Sequence, residues 1–161
     1  MKDMKRKEGM KNDDMYYRLL AMSVLSFLAM YALMYAMVNQ LANVFANFNQ
    51  FYMAGLMTMP MVIFELALMR GMYHRKTLNA AIIVISVIAL GGFWVAIRQQ
   101  VAISDRQFLK SMIPHHAGAI LMCSKARLVD PDILELCKGI ATGQQAEIDQ
   151  MKEMLLQLES D

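Results

Sequence analysis

The chain has 161 residues, of which 57% are hydrophobic, a share that is high for a soluble protein of this length. Its formal net charge is only +2, which argues against nucleic-acid binding. The hydrophobic residues are concentrated in the first two thirds of the chain. We therefore expect a membrane region followed by a small soluble domain.

Methionine is the compositional anomaly, with 18 residues in the chain. Its flexible thioether fills irregular gaps in cores and between membrane helices, which is the default explanation for its abundance. The thioether is also a soft ligand suited to Cu(I), and silver, the heavier congener of copper, should bind in the same way. Composition alone leaves both explanations open.

The chain begins with a basic tail, residues 1–18, which has six Lys and Arg residues against four acidic ones. Residues 19–97 follow as a transmembrane region of three apolar spans, at 19–38, 51–69 and 78–97. The first span lacks the short apolar core and the cleavage site of a signal peptide, so we expect it to be retained.

The distribution of Lys and Arg predicts the orientation of the spans. The tail has six of these residues, the uncharged, Asn-rich first connection (39–50) has none, and the second loop (70–76) has three. Because cytoplasmic segments carry the excess of positive charge, the tail and the second loop are predicted to be cytoplasmic. Residues 98–161 then lie outside, which in a bacterium means an inner-membrane protein with a periplasmic domain.

The outer domain, residues 98–161, is predicted to contain two antiparallel helices. Ser104 begins a capping box at the start of the first helix. Asp130 caps the second helix, with Pro131 at its first position. Such a hairpin buries too little apolar surface to be stable alone, so we expect it to pack on a second copy, on the membrane helices, or on both.

The first of these helices carries the sequence Met-Ile-Pro-His-His-Ala-Gly-Ala-Ile-Leu-Met-Cys at residues 112–123. Helical spacing places His115 and His116 on or beside its apolar face. A single histidine there is usually a hydrogen-bonded core residue. An adjacent pair flanked by thioethers and a thiol is at least as consistent with a metal site.

Spacing also limits which residues can share one ion. Met112 lies within one turn of both histidines, whereas Met122 lies roughly 10 Å along the helix from His115. The motif therefore predicts either two sites along the helix or ligands completed from the second helix. Met151 and Met154 are the candidates there, because antiparallel pairing brings them towards the start of the first helix.

Residues 112–123, followed by Gln-Gln-Ala-Glu-Ile-Asp-Gln-Met at 144–151, resemble the bacterial domain-of-unknown-function family numbered 305. Its signature is a Met-x-Pro-His-His-x-x-Ala run and a Gln-x-x-Glu-Ile-x-x-Met helix, and the resemblance covers roughly residues 100–156. It implies a ferritin-like bundle, with some members binding copper or silver in the periplasm through Met and His. The ligands that it implies here are Met112, His115, His116, Met122 and Met151.

The resemblance covers one repeat, which is half of a four-helix bundle, so we expect a homodimer to complete it. Diiron chemistry is not expected, because no Glu-x-x-His pair is present: Glu135 and Glu147 are followed at plus three by Lys138 and Gln150. The sequence has no nucleophile–base–acid set and no phosphate-binding loop. We therefore expect a binding protein and not an enzyme.

Two further features keep alternatives open. Cys123 and Cys137 are the only cysteines, and they can form a disulfide in an oxidising compartment, remain inert core thiols or ligate a soft metal. Glu65 is an acid within the second span, five residues before Arg70, where we expect it to lie at the cytoplasmic interface.

Together these patterns predict an all-α protein with three membrane spans and an outer helical domain that binds Cu(I) or Ag(I), in metal tolerance or delivery. One alternative is a Cu(I)-conducting membrane protein, with methionine rows in the spans as its path: Met53, Met57 and Met61, and Met30, Met34 and Met37. The other alternative is a purely structural helical module that binds no metal.

Overall fold

The computed structural model describes the backbone of residues 2–160 and the side chains from Asp14 to Ser160. The described residues form five α-helices and no strand, which confirms the all-α prediction. Most of the predicted basic tail lies outside the described side chains. The helices are α1 (Lys2–Leu33), α2 (Phe48–Leu68), α3 (Lys76–Gln99), α4 (Asp105–Lys125) and α5 (Pro131–Ser160).

Three helical segments are long and apolar enough to cross a membrane: Asp14–Met37, Phe48–Leu68 and Lys76–Gln99. They coincide with the three predicted spans to within a few residues. Only 6% of the first and third segments is buried inside the chain. Their apolar side chains therefore point mostly away from the protein, as lipid-facing side chains do.

The chain divides into two compact units, and both are discontinuous in sequence. The first comprises Met1–Ala32 and Phe51–Val101, and the second comprises Leu33–Gln50 and Ala102–Asp161. The second unit thus contains nearly all of the predicted outer domain together with the first connection. Two 3₁₀ turns, Met34–Met37 and Leu41–Asn43, give this connection its local structure.

In the first unit, the ring of Phe93 on α3 packs against Gly55 on α2. Ala54 and Thr58 on α2 are also buried, and the Thr58 hydroxyl donates to Met30 Sδ on α1. A Cβ atom on Gly55 would overlap the ring of Phe93, so this contact requires glycine.

Tyr73, in the loop between α2 and α3, joins a polar network that includes Glu65 near the end of α2. The hydroxyl of Tyr73 donates to Glu65 Oε1 at 3.2 Å, and its ring packs on Tyr16 with 5.4 Å between centroids. Asn79 joins them by accepting from the Tyr16 hydroxyl and donating to the Tyr73 carbonyl. Burial, and then the neighbouring Glu65 carboxylate, raise the pKa of Tyr73, which keeps its hydroxyl a neutral donor.

In the second unit, α4 and α5 run antiparallel and share one apolar cluster. Both predicted caps are confirmed. Ser104 Oγ accepts from the Gln107 amide at the start of α4, and Asp130 Oδ1 accepts from the Asp132 and Ile133 amides at the start of α5. The buried cluster consists of Leu109, Ile113, Ala117, Ile148, Met151 and Leu155.

The first connection packs on α4, a contact that the sequence analysis did not predict. Val38 and Phe45 pack against the apolar cluster. Gln107 Oε1 accepts from the Phe48 amide at 3.0 Å, and Asn49 Nδ2 donates to Ser111 Oγ at 3.1 Å. The hairpin of α4 and α5 is therefore also covered by a segment of its own chain, the first connection, which packs on α4.

Candidate metal centre

His116 lies between the two helices of the second unit, with both ring nitrogens in short contacts. Nδ1 lies 3.0 Å from the Met112 carbonyl oxygen, one turn earlier in α4, and Nε2 lies 2.6 Å from Glu147 Oε2 on α5. A carbonyl oxygen only accepts, so the contact with Met112 assigns the donor role to Nδ1, and Nε2 faces the Glu147 carboxyl group. Nε2 is therefore the ring atom that a metal ion would meet.

The contact between His116 and Glu147 fixes the register of the two helices. Met112 lies four residues before His116, and Met151 lies four residues after Glu147. The two helices are antiparallel, so one turn back along α4 and one turn forward along α5 lead in the same direction in space. Met112 and Met151 therefore lie opposite each other at a second level, one helical turn from the contact between His116 and Glu147. Met112 packs against the apolar cluster to which Met151 belongs, as this register requires.

These two levels bring together two thioethers, one imidazole and one carboxylate. Ile113 and Ile148 beside them are fully buried, and Met151 is also buried. Thioether and imidazole donors in apolar surroundings suit a soft monovalent ion such as Cu(I), whereas a carboxylate suits hard cations. The chemistry of the donor set therefore fits Cu(I) or Ag(I), with Glu147 as the member least suited to bind either ion.

His115 and Met122 do not join this group. His115 is exposed and Met122 is 56% exposed, although both were predicted on or beside the packed face of α4. The reason is that α4 packs on two sides, against α5 and against the first connection. Its buried face therefore turns towards Ala117 and Gly118, and the stripe with His115 and Met122 faces outward. Of the five predicted ligands, Met112, His116 and Met151 lie together, and His115 and Met122 lie apart.

Glu147 is the site residue that the sequence analysis missed. It lies within the Gln-x-x-Glu-Ile-x-x-Met run and one turn before Met151, so the motif already held the signal. No group of three or more His, Cys, Asp or Glu that could hold a metal occurs among the described residues. A metal bound at these two levels would therefore depend on methionine sulfur.

Cys123 and Cys137 form a disulfide that joins the end of α4 to the first half of α5, with their Cα atoms 5.3 Å apart. Of the alternatives left open by the sequence, the structure thus contains the disulfide. Bonded cysteines are not ligands, so the sulfur donors at the candidate centre are the thioethers of Met112 and Met151.

Comparisons with known proteins identify relatives of the C-terminal part and of most of the chain. Residues 95–155 match the family described as "Domain of unknown function (DUF305)". An uncharacterized protein of Acanthamoeba polyphaga mimivirus is 36% identical over 140 residues, which cover 85% of this chain and 90% of the viral protein. No solved structure matches the chain. The chain therefore belongs to the same family as the viral protein, and its C-terminal part is a DUF305 domain.

Proposed function

We propose that this protein is a membrane-anchored binding protein for Cu(I) or Ag(I), serving metal tolerance or delivery and not catalysis. Its cargo would bind between α4 and α5 through Met112, His116 and Met151. The observation that carries the proposal is the register of these helices, which sets Met112 on α4 level with Met151 on α5 and places His116 one turn further along α4.

The arrangement of His116 supports this role. In protein metal sites, a ligating imidazole usually donates its second N–H to a carbonyl or carboxylate, which fixes the ring orientation. His116 already donates from Nδ1 to the Met112 carbonyl, so a metal would take Nε2 and displace the carboxyl group of Glu147. His115 and Met122 would not contribute to this site, because they lie on the exposed stripe of α4.

The proposal includes a topology and an assembly. The tail and the loop between α2 and α3 would be cytoplasmic, and the metal-binding unit would lie on the opposite, oxidising side. The disulfide supports that side, because such bonds persist in oxidising compartments. A homodimer would complete a ferritin-like four-helix bundle, using the apolar residues that α5 leaves exposed, such as Ile133, Leu136 and Ile140.

The rival function, conduction of Cu(I) through the spans, has less support. Met53 and Met57 are 40% and 48% exposed and do not line an interior path within one chain. On α1, Met30 Sδ accepts a hydrogen bond from Thr58, which is a packing role. We therefore place the cargo in the second unit.

The test is a Cu(I) titration of the full chain in detergent against a competing chromogenic chelator. The full chain is needed because the first connection is part of the metal-binding unit. Two adjacent substitutions form a matched pair: His116→Ala should weaken binding at least tenfold, and His115→Ala should leave it nearly unchanged. Met112→Leu and Met151→Leu should each weaken binding while conserving side-chain volume and helicity.

Three other outcomes of these experiments would contradict the proposed site or the proposed function. Equal losses from the two histidine variants would mean that the ion does not lie between α4 and α5. If the wild-type chain does not compete with the chelator, the unit is a structural module. Uptake of Cu(I) into vesicles that contain the protein would instead favour the conducting role.

A further inference from the structure

The disulfide between Cys123 and Cys137 has no part in the proposed centre, and it lies where the two helices are otherwise least packed. Every buried residue of α5 lies in its second half, beginning at Ile148. Near the disulfide, Ile133 and Leu136 are largely exposed. Packing thus holds the second half of α5 to α4, whereas a covalent bond holds the first half.

We propose that Cys123 and Cys137, when their disulfide is reduced, form a second and separate site for a soft monovalent cation of the Cu(I) class. Two thiolates are the strongest soft donors that a protein offers to such an ion. The site would be distinct from the group formed by Met112, His116 and Met151, because Cys123 lies seven residues, or about 10 Å, beyond His116 along α4.

The geometry allows the change from disulfide to metal site. With metal–sulfur bonds of about 2.3 Å, the length found for zinc thiolates, two sulfur atoms on one ion lie about 4 to 5 Å apart. The Cα atoms of the two cysteines are 5.3 Å apart, so side-chain rotation and a small shift of the first half of α5 provide this separation. No residue in that half of the helix is buried, so the shift leaves the apolar cluster intact.

The sulfur atoms of this pair are accessible from solvent. Cys123 and Cys137 are only partly buried, which gives a reductant and an ion access to their sulfur atoms.

The chemistry balances with a dithiol as the reductant. Thiol–disulfide exchange transfers two electrons and two protons, so the dithiol becomes a disulfide while Cys123 and Cys137 become free thiols. Binding of one Cu(I) ion by both sulfur atoms then releases the two thiol protons. Exchange with a small-molecule disulfide would reverse the change: its two sulfur atoms take up two electrons and two protons to become thiols, the cysteines form their disulfide again, and the ion is released because a disulfide offers no thiolate.

The experiment compares three forms of the full chain in detergent under anaerobic conditions: oxidised, reduced with the dithiol removed, and reduced then alkylated with iodoacetamide. Cu(I) is titrated into each against a chromogenic chelator. The reduced form should bind one more ion than either other form and show the ultraviolet charge-transfer band of a copper thiolate. The double variant Cys123→Ser/Cys137→Ser should behave like the oxidised chain.

The variant Met112→Leu/His116→Ala separates this site from the proposed function. It should lose the first site and keep the thiol-dependent ion, so failure of either proposal is visible by itself. Equal stoichiometry of the reduced and oxidised chains would overturn the second site. Loss of helicity on reduction, measured by circular dichroism, would also overturn it, because the disulfide would then be a purely structural bond.

Discussion

His116 Nε2 lies 2.6 Å from Glu147 Oε2, so the carboxyl group occupies the position beside Nε2 that a bound metal ion would need. A carboxylate is a poor ligand for Cu(I), which makes Glu147 a competitor of the metal and not a partner. Glu147→Gln removes the negative charge but keeps the shape of the side chain. We expect this variant to bind Cu(I) several-fold more tightly in the chelator competition assay.

The matched control is Glu153→Gln, which removes an exposed charge from the same helix without altering a contact of His116. It should leave the affinity unchanged. Weaker binding by Glu147→Gln would contradict the competitor role and make the carboxylate part of the site.

Ile148 and Ile140 distinguish folding from assembly. Ile148 is fully buried within one chain, so Ile148→Asp should destabilise the second unit by on the order of 4 kcal/mol, because the new charge has no partner. Ile140 is 36% exposed, so Ile140→Asp should leave helicity unchanged and dissociate a dimer that uses this face. Circular dichroism and light scattering measure the two effects. A monomeric wild-type chain at micromolar concentration would end the dimer proposal.

Gly55 tests the packing of α2 against α3. Gly55→Ala forces a methyl group into the ring of Phe93, and such overpacking costs about 1 to 3 kcal/mol. The same substitution at Gly91 meets no atom within 4 Å and should be neutral or slightly stabilising. Thermal unfolding in detergent compares the variants. Equal melting temperatures for Gly55→Ala and the wild type would show that the two helices do not meet at this residue.

The topology can be tested by labelling single cysteines in a variant that lacks the two native ones. Ser160→Cys, at the exposed end of α5, should react with an impermeant thiol reagent in intact spheroplasts. Asn12→Cys, in the tail, should react only after the membrane is permeabilised, because the tail is the segment richest in Lys and Arg. The opposite labelling pattern would reverse the orientation.

The sequence predicts well what depends on neighbouring residues. The three spans follow from long apolar runs with few or no charges, and the starts of α4 and α5 follow from the caps at Ser104 and Asp130. The face of α4 that is buried could not be predicted in this way, because it depends on residues 33–50, which are distant in sequence. One local signal was available: Asn47 caps α2 by accepting from the Gln50 amide, so the connection is an ordered segment.

The ligands at the site were also predicted only in part, because their placement depends on contacts between residues that are distant in sequence. Both histidines satisfy the helical spacing. The first connection packs on α4 at Gly118, and this contact turns His116 towards α5 and His115 outward. The motif contains Glu147, but its pairing with His116 does not follow from the motif, because the register of two helices is set by tertiary contacts.

The discontinuity of the second unit has a consequence for biosynthesis. Gln50 ends the first segment of the unit, and Ala102 begins the second, so the chain between them is made before α4 appears. At usual rates of synthesis that interval lasts roughly 3 to 10 s, during which Val38 and Phe45 have no apolar cluster to cover. The unit closes only after α3 has been synthesised and α4 has followed it. A C-terminal fragment made alone would lack the packing of residues 33–50 on α4. A peptide of residues 33–50 added in trans should restore this packing.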